Sequence, residues 1–554
     1  MIIVKLAPLE GLVPRMLELV SRATPWHRRD WRAGTLELVE EAIVDLQIPG
    51  TSGEAQKELK RQAARAVGKD PAVTASQKEL INCISKIGPE SGPDSYFVRL
   101  AEHHARDLKN GYLKNWSNIF EDTSLAGALD VEGTAKRIIS HILYCGVHAS
   151  SVYSVIEDRH KSNEEYSFSS VLGELDDRVW AQPKVYTFVV PVDKQPDFLH
   201  EDRPGEGGWM TAKQLKQWKH KHAPQASKVR HHGGFTLSVE SSDVNSAATE
   251  IQRQLSQLGF KFRAGSGNGF SILDSMWSKE KHAAFPTRRH SHPMKLNAFE
   301  RAGAVEDRSI DARTRNILAI IEPLQTNDSH VAVVHGWVAI ESLLVGAGEP
   351  DSIGAERMAR VVAASYFRSE LTWLARSYAR HYEGKSMEAE EIARADVSVE
   401  RVRLMKSLIE SSADLTGLSE VDQLAVDKMR TALREPKRTF DRTQEILQGE
   451  FLRMYRKRNL VVHSGRAVEV GIESLAGKIV PLLVNGIDQI LIASLQFGLD
   501  PKALAAAIEF NVLHLRNPSD SSRAQIFDLL EEEWIATAGT PRSVVEVDST
   551  EPGI

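Results

Sequence analysis

The sequence predicts a mainly α-helical, multi-domain protein with one small α/β unit in its middle. Three observations lead there. Apolar residues recur three and four apart over most of the chain. Runs rich in β-branched and aromatic residues are confined to a window that opens near Lys184. At 554 residues the chain is too long for one core, which points to about three or four domains.

Composition narrows the classes. The hydrophobic share of 42% and charged share of 26% are those of an ordinary globular chain, and the net charge of −6 provides no global basic field. Nucleic-acid binding must therefore be local. Cys83 and Cys145 are too few for a disulfide framework, which fits a reducing, cytoplasmic setting. The opening "MIIVKLAPLEGLVPRMLELV" lacks a charged n-region and a small-residue cleavage site. The apolar stretch Ile479 to Leu499 is interrupted by Pro481, Asn485, Gly486 and Asp488, so no membrane span is expected.

Residues 1–165 read as helices. Within them, "RIISHILYCGVHASSVYSVIEDRHK" (137–160 and its flank) has two amphipathic runs joined at Gly146-Val147, with Ser150 or Ser151 able to cap the second. That pattern fits a helix-turn-helix and, more simply, an αα-hairpin with a Gly C-cap. Residues 166–304 form the expected α/β unit, with "KVYTFVVPV" and "GGFTLSVES" as strands, "NSAATEIQRQLSQLGF" as a helix and "FKFRAG" as a return strand. Two loops in this unit are cationic. One carries Lys213, Lys216, Lys219, Lys221, Lys228 and Arg230, the other Arg288 and Arg289, and Trp218 and Trp277 lie near them. Such loops suit a phosphate backbone and stacked bases, or are simply solvated. His220, His222, His231, His232, His290 and His292 sit in them without Cys or carboxylate at ligand spacing, so no metal and no other cofactor is expected. Residues 305–515 are helical again, and 516–554 read as an acidic helix, "DLLEEEW", with a disordered tail.

The chemistry concentrates in "MYRKRNLVVHSGR", Met454 to Arg466. On a helix, Leu447, Phe451, Met454, Tyr455, Arg458 and Val462 share one stripe, so Arg458 rides on the apolar side. Asn459 lies about 100° and His463 about 140° from it. Gly465 offers a helix stop, and a His in the last turn feels the negative end of the helix dipole. A fixed cation, an amide and a titratable imidazole together can hold a phosphodiester and move its protons. Spacing alone is weak, because Arg-x4-His also occurs at Arg22/His27, Arg99/His104 and Arg376/His381. The adjacent Asn and the helical ending set the last pair apart. A purely structural reading has Arg458 and His463 only capping and pairing helices.

"YRKRNLVVHSG" resembles the R-N-x-x-x-H signature of the HEPN superfamily, and "HGWVAIESLL" is similar to the Trp-x-x-x-Glu helix of its ApeA-like group. The resemblance covers about residues 305–515 and implies a HEPN-like helical bundle with metal-independent endoribonuclease activity. It implies His463 as the base for an RNA 2′-hydroxyl, Arg458 as stabiliser of the phosphorane, and Asn459 as orienting amide. A 2′,3′-cyclic phosphate is the implied product. Glu341, in the stripe with Val334, Trp337 and Leu344, and Tyr455 are supporting candidates. Implied partners are RNA (tRNA, or phage or host mRNA), a second copy of the chain through the HEPN-like domain, and a phage-derived or protein trigger for an antiviral or toxin-type effector. Two alternatives stand beside it: a HEPN-like module that binds RNA or a partner without cutting, and a DNA-binding regulator acting through the N-terminal helices.

Overall fold

The computed structural model describes residues 11–49, 53–73, 76–122, 129–161, 167–193, 208–224, 230–266, 271–281, 283–287, 296–302, 312–325, 328–411, 413, 415–464, 470–515 and 525–531. For residues 260–266, 300–302, 312–314, 325, 463 and 464 only the backbone is described. Helices far outweigh strands, and the architecture is mainly α and multi-domain.

Among the described residues, eight N-terminal α-helices, from Leu12–Val20 to Phe168–Val179, share one apolar core. The last belongs there because Phe168, Val171, Leu172 and Leu175 recur at helical spacing and are all buried, while the Ser167 hydroxyl caps its start. The N-terminal core thus runs past the boundary expected at residue 165. The 137–160 segment forms two helices, Val131–Tyr144 and Ala149–Lys161. Gly146 turns between them with φ +93°, in a conformation that favours glycine.

The α/β unit is a five-stranded antiparallel sheet in the order β2-β3-β1-β4-β5. Its strands are β1 (Lys184–Val192), β2 (Trp209–Thr211), β3 (Gly233–Ser241), β4 (Ser275–Ser278) and β5 (Ala284–Pro286). One helix covers each face, because β1 is apolar on both sides. Phe188, Val190 and Met276 pack on the helix Val244–Ser266, while Val189 and Trp277 pack beside Leu215 of the helix Ala212–His222. Two expectations are corrected here. "FKFRAG" is not a return strand; the Val244–Ser266 helix runs through it, and β4 supplies the pairing instead. Residues 212–222 are not a loop, because Thr211 and Gln214 form a capping box that starts a helix.

The C-terminal bundle runs from the helix Asn297–Ala302 to Pro501–Leu513, with Ile526, Phe527 and Leu529 packed into the same core. It begins before residue 305 because Asp488, buried inside it, accepts hydrogen bonds from Asn297 Nδ2 (3.0 Å) and the Ala298 amide (2.9 Å). Residues 525–531 are turns rather than the expected acidic helix, and 532–554 lie outside the described residues. The Ile472–Phe497 helix, within the region expected to be helical, continues unbroken through Pro481, Asn485, Gly486 and Asp488. Its polar positions serve internal contacts: Ser365 donates to Asn485 Oδ1 at 2.6 Å, and Gly486 lies against Met358. Among the described residues it is the one helix long and apolar enough to cross a membrane, and 61% of its most apolar window is buried in the bundle.

The N-terminal unit and the bundle are joined by buried charge. A 3₁₀ turn, Trp26–Arg28, enters the bundle, where Arg28 donates to Glu370 (2.7 Å) and Asp422 (2.8 Å). Trp31 packs edge-on against Tyr366 within the bundle core, their centroids 5.2 Å apart.

Candidate active site

The Pro436–Ser464 helix carries the site residues and crosses Ser329–Leu344 at close range. Gly336 makes that approach possible, since a Cβ there would run into Met454 and Leu483. Leu447, Phe451 and Met454 are fully buried, and the half-buried Tyr455 ring lies against Trp337, centroids 4.8 Å apart. That contact fixes the turn before Arg458.

Arg458 is partly buried, with 19% of its side chain exposed. Its Nη1 donates to Asn459 Oδ1 at 2.9 Å, and its Nη2 stands 3.8 Å from Glu341 Oε2. Its Nε is buried without a hydrogen-bond partner. The guanidinium is therefore held in place by one amide bond and one loose charge contact, with donor capacity left over. A phosphate oxygen would satisfy that capacity better than the partners it has among the described residues. The structure brings Arg458, Asn459 and Glu341 together, with Tyr455 on the preceding turn against Trp337. His463 has its backbone in the last turn of the same helix, and its side chain lies outside the described residues.

Val462 corrects the sequence reading of the stripe. It is 49% exposed, while Leu460 is buried and Val461 packs against the bundle core in its place. On another side of the same helix, Arg453, Arg456 and Lys457 are fully or almost fully buried, a burial not expected from the sequence. Their partners are Glu37, Glu41 and Asp45 on the N-terminal helix Thr35–Asp45. A signal existed: three acids spaced four apart on one helix match three cations spaced three and four apart on another.

The cationic residues of the α/β unit are only partly placed. Lys213, Lys216, Lys221 and Arg230 are exposed, whereas Lys228, Arg288, Arg289, His290 and His292 lie outside the described residues. Lys219 lies over the Trp277 ring, 4.9 Å from its centroid, and desolvation pushes its ammonium below the usual lysine range. Trp277 is fully buried in the sheet, so it is not available to stack a base. Trp218 is half-buried beside His222, centroids 5.1 Å apart. Among the described residues, no three His, Cys, Asp or Glu side chains come together as a metal site.

The 149–161 helix does not present a free N-terminus. Ser151 donates to Asp243 Oδ1 (2.9 Å), and Asn245 donates to Ser151 (3.1 Å). Asp243 also caps the Val244–Ser266 helix through the Asn245 and Ser246 amides, and these bonds hold its carboxyl below its usual range against the opposing effect of burial. No family model, no curated protein and no solved structure matches this chain.

Proposed function

We propose that this chain is a metal-independent endoribonuclease of HEPN type, working at the C-terminal end of the Pro436–Ser464 helix. The observation that carries the reading is Arg458. A partly buried guanidinium with an unmatched Nε, braced by Asn459 and faced loosely by Glu341, is suited to receive a phosphodiester. In this reading His463 accepts the proton of an RNA 2′-hydroxyl, whose oxygen attacks the adjacent phosphorus. Arg458 stabilises the charge that builds on the phosphorane oxygens. Asn459 orients Arg458, and Tyr455 against Trp337 fixes the helix turn that carries both. The 5′-oxygen leaves with a proton, giving a 2′,3′-cyclic phosphate and a 5′-hydroxyl.

Lys213, Lys216, Lys221 and Arg230 give the RNA a cationic surface in a chain that is net acidic. The reading extends to a cytoplasmic homodimer through the helical bundle, acting as an antiviral or toxin-type effector under a phage-derived or protein trigger. The DNA-reading alternative is disfavoured by Asp243, a carboxylate seated at the N-terminus that would have to approach phosphate. The test is incubation of the full chain with total RNA and tRNA, with and without EDTA, beside His463→Ala. Cleavage that survives chelation and disappears in the variant supports the proposal; retained cleavage in the variant removes His463 from the chemistry, and RNA binding without cleavage by the wild type replaces the proposal with a non-catalytic RNA-binding module.

A further inference from the structure

The helix that carries Arg458 is clamped from the N-terminal unit by a charge cluster from which water is excluded. Glu41 lies at its centre. It accepts from Arg453 Nη2 at 2.6 Å and from Arg456 Nη2 at 2.8 Å, with Lys457 Nζ 3.6 Å away. Glu37 adds a contact to Arg453 Nη2 (2.5 Å), and Asp45 accepts from Lys457 (2.7 Å) and Arg456 (3.2 Å). All three carboxylates and all three cations are at most 1% exposed. The cluster also holds the next helix. Arg453 Nη2 donates to the Gly471 carbonyl at 3.3 Å, and Lys478 reaches Glu37 at 3.1 Å. Gly471 sits at the start of Ile472–Phe497 with φ +72°, so close to Glu41 that a Cβ would collide with its carboxylate. Glu41 thus braces the chain on both sides of the segment that holds His463.

We infer that Glu41 is a positioning residue for the Arg458–His463 helix end, acting through Arg453, Arg456 and Lys457. This rests on the ribonuclease reading above for its catalytic consequence, but not for its geometry. Burial by itself would raise the Glu41 carboxyl, yet Arg453, Lys457 and Arg456 hold it far below the usual carboxylate range. It is therefore a permanent charge, and an interior with balanced, hydrogen-bonded ions tolerates few alternative arrangements. The N-terminal unit is a brace built into the site rather than a detachable cover.

Glu41→Gln in the full chain tests this against Glu370→Gln, which weakens a second buried ionic joint between the same two units, made by Arg28 with Glu370 and Asp422 on the helices Ile353–His381 and Glu420–Arg434. Single-turnover cleavage and hydrogen exchange of peptides spanning 454–471 are read in both, at a temperature where each is folded by far-UV circular dichroism. Glu41→Gln is expected to lower kcat by about 100-fold with KM within about twofold. It should speed exchange over 454–471 by about tenfold, while Glu370→Gln changes neither. Unchanged exchange in Glu41→Gln, or the same loss in Glu370→Gln, overturns the inference. If the wild type cuts no RNA, the ribonuclease reading fails and exchange alone decides the positioning role. Should Glu41→Gln not fold, the double variant Asp45→Asn/Lys457→Met removes one charge of each sign from the same cluster and is judged by the same readouts.

Discussion

Arg458 Nη2 stands 3.8 Å from Glu341 Oε2, near enough to feel its charge and too far to share a hydrogen bond with it. The carboxylate restrains the guanidinium without consuming its donors. Glu341→Gln should slow single-turnover RNA cleavage by up to about fivefold, because a partly exposed pair is worth about 1 kcal/mol or less. Its melting temperature should stay near that of the wild type. A rate unchanged in the variant would remove Glu341 from the site.

Arg458→Ala and His463→Ala should each lower the cleavage rate by about 10²–10⁴-fold, the range of acid–base and electrostatic contributions. Both should keep the fold, since Arg458 flanks rather than fills the core of Leu447, Phe451 and Met454. Rapid-quench cleavage of labelled RNA and thermal melts check the two halves separately. If both variants unfold, the residues are structural.

Changing Lys213, Lys216 and Lys221 together to Glu should reduce the slope of log affinity against log salt by about 2 units for single-stranded RNA, at about 0.7 for each phosphate no longer neutralised. Lys219 is left in place because it lies over buried Trp277, where its removal would also disturb packing. Fluorescence anisotropy titrations over a salt series measure the slope. An unchanged slope would show that the cations are only solvated.

Arg453→Met should destabilise the chain by about 3–5 kcal/mol in urea unfolding, because Glu37 and Glu41 would be left buried without their principal partner. The same substitution at the exposed Arg438 should cost almost nothing, its Glu435 pair being solvated. Equal effects would mean the interface is wetter than its geometry implies.

Acid should weaken the fold as the unfolded chain takes up protons that its buried histidines refuse. Burial pushes His27 down to about 4, opposed by Glu370 and reinforced by Arg28, Lys428 and Arg15. A base lowered in the folded state takes its proton first in the unfolded chain, so its contribution is complete above the ordinary value near 6.5 and is lost as pH falls toward 4. The loss by pH 5 is on the order of 2 kcal/mol. His27→Phe should lessen the fall of unfolding free energy between pH 6.5 and about 5, leaving the share of His141, which burial pushes down to about 3, as followed by urea melts. An unaltered slope would place the sensitivity elsewhere.

The sequence by itself determined what local periodicity encodes. The helical class, the β-branched strands after Lys184, and the placing of Arg458 beside Asn459 near a helix end were all legible, because each depends on neighbours within a few positions. Tertiary structure decided the rest. "FKFRAG" is helical because the helix before it continues, and Val462 is exposed while Leu460 is buried and Val461 packs against the bundle core. Trp277 is sheet core rather than a stacking surface because the Ala212–His222 helix covers it. The largest departure is the cationic run Arg453, Arg456 and Lys457, which a local pattern assigns to solvent. Its carboxylate partners lie far earlier in the chain, with Glu41 412 residues from Arg453. Burying those cations is tolerable only with that distant helix packed against them, and no pattern within one helix records which surface another will meet.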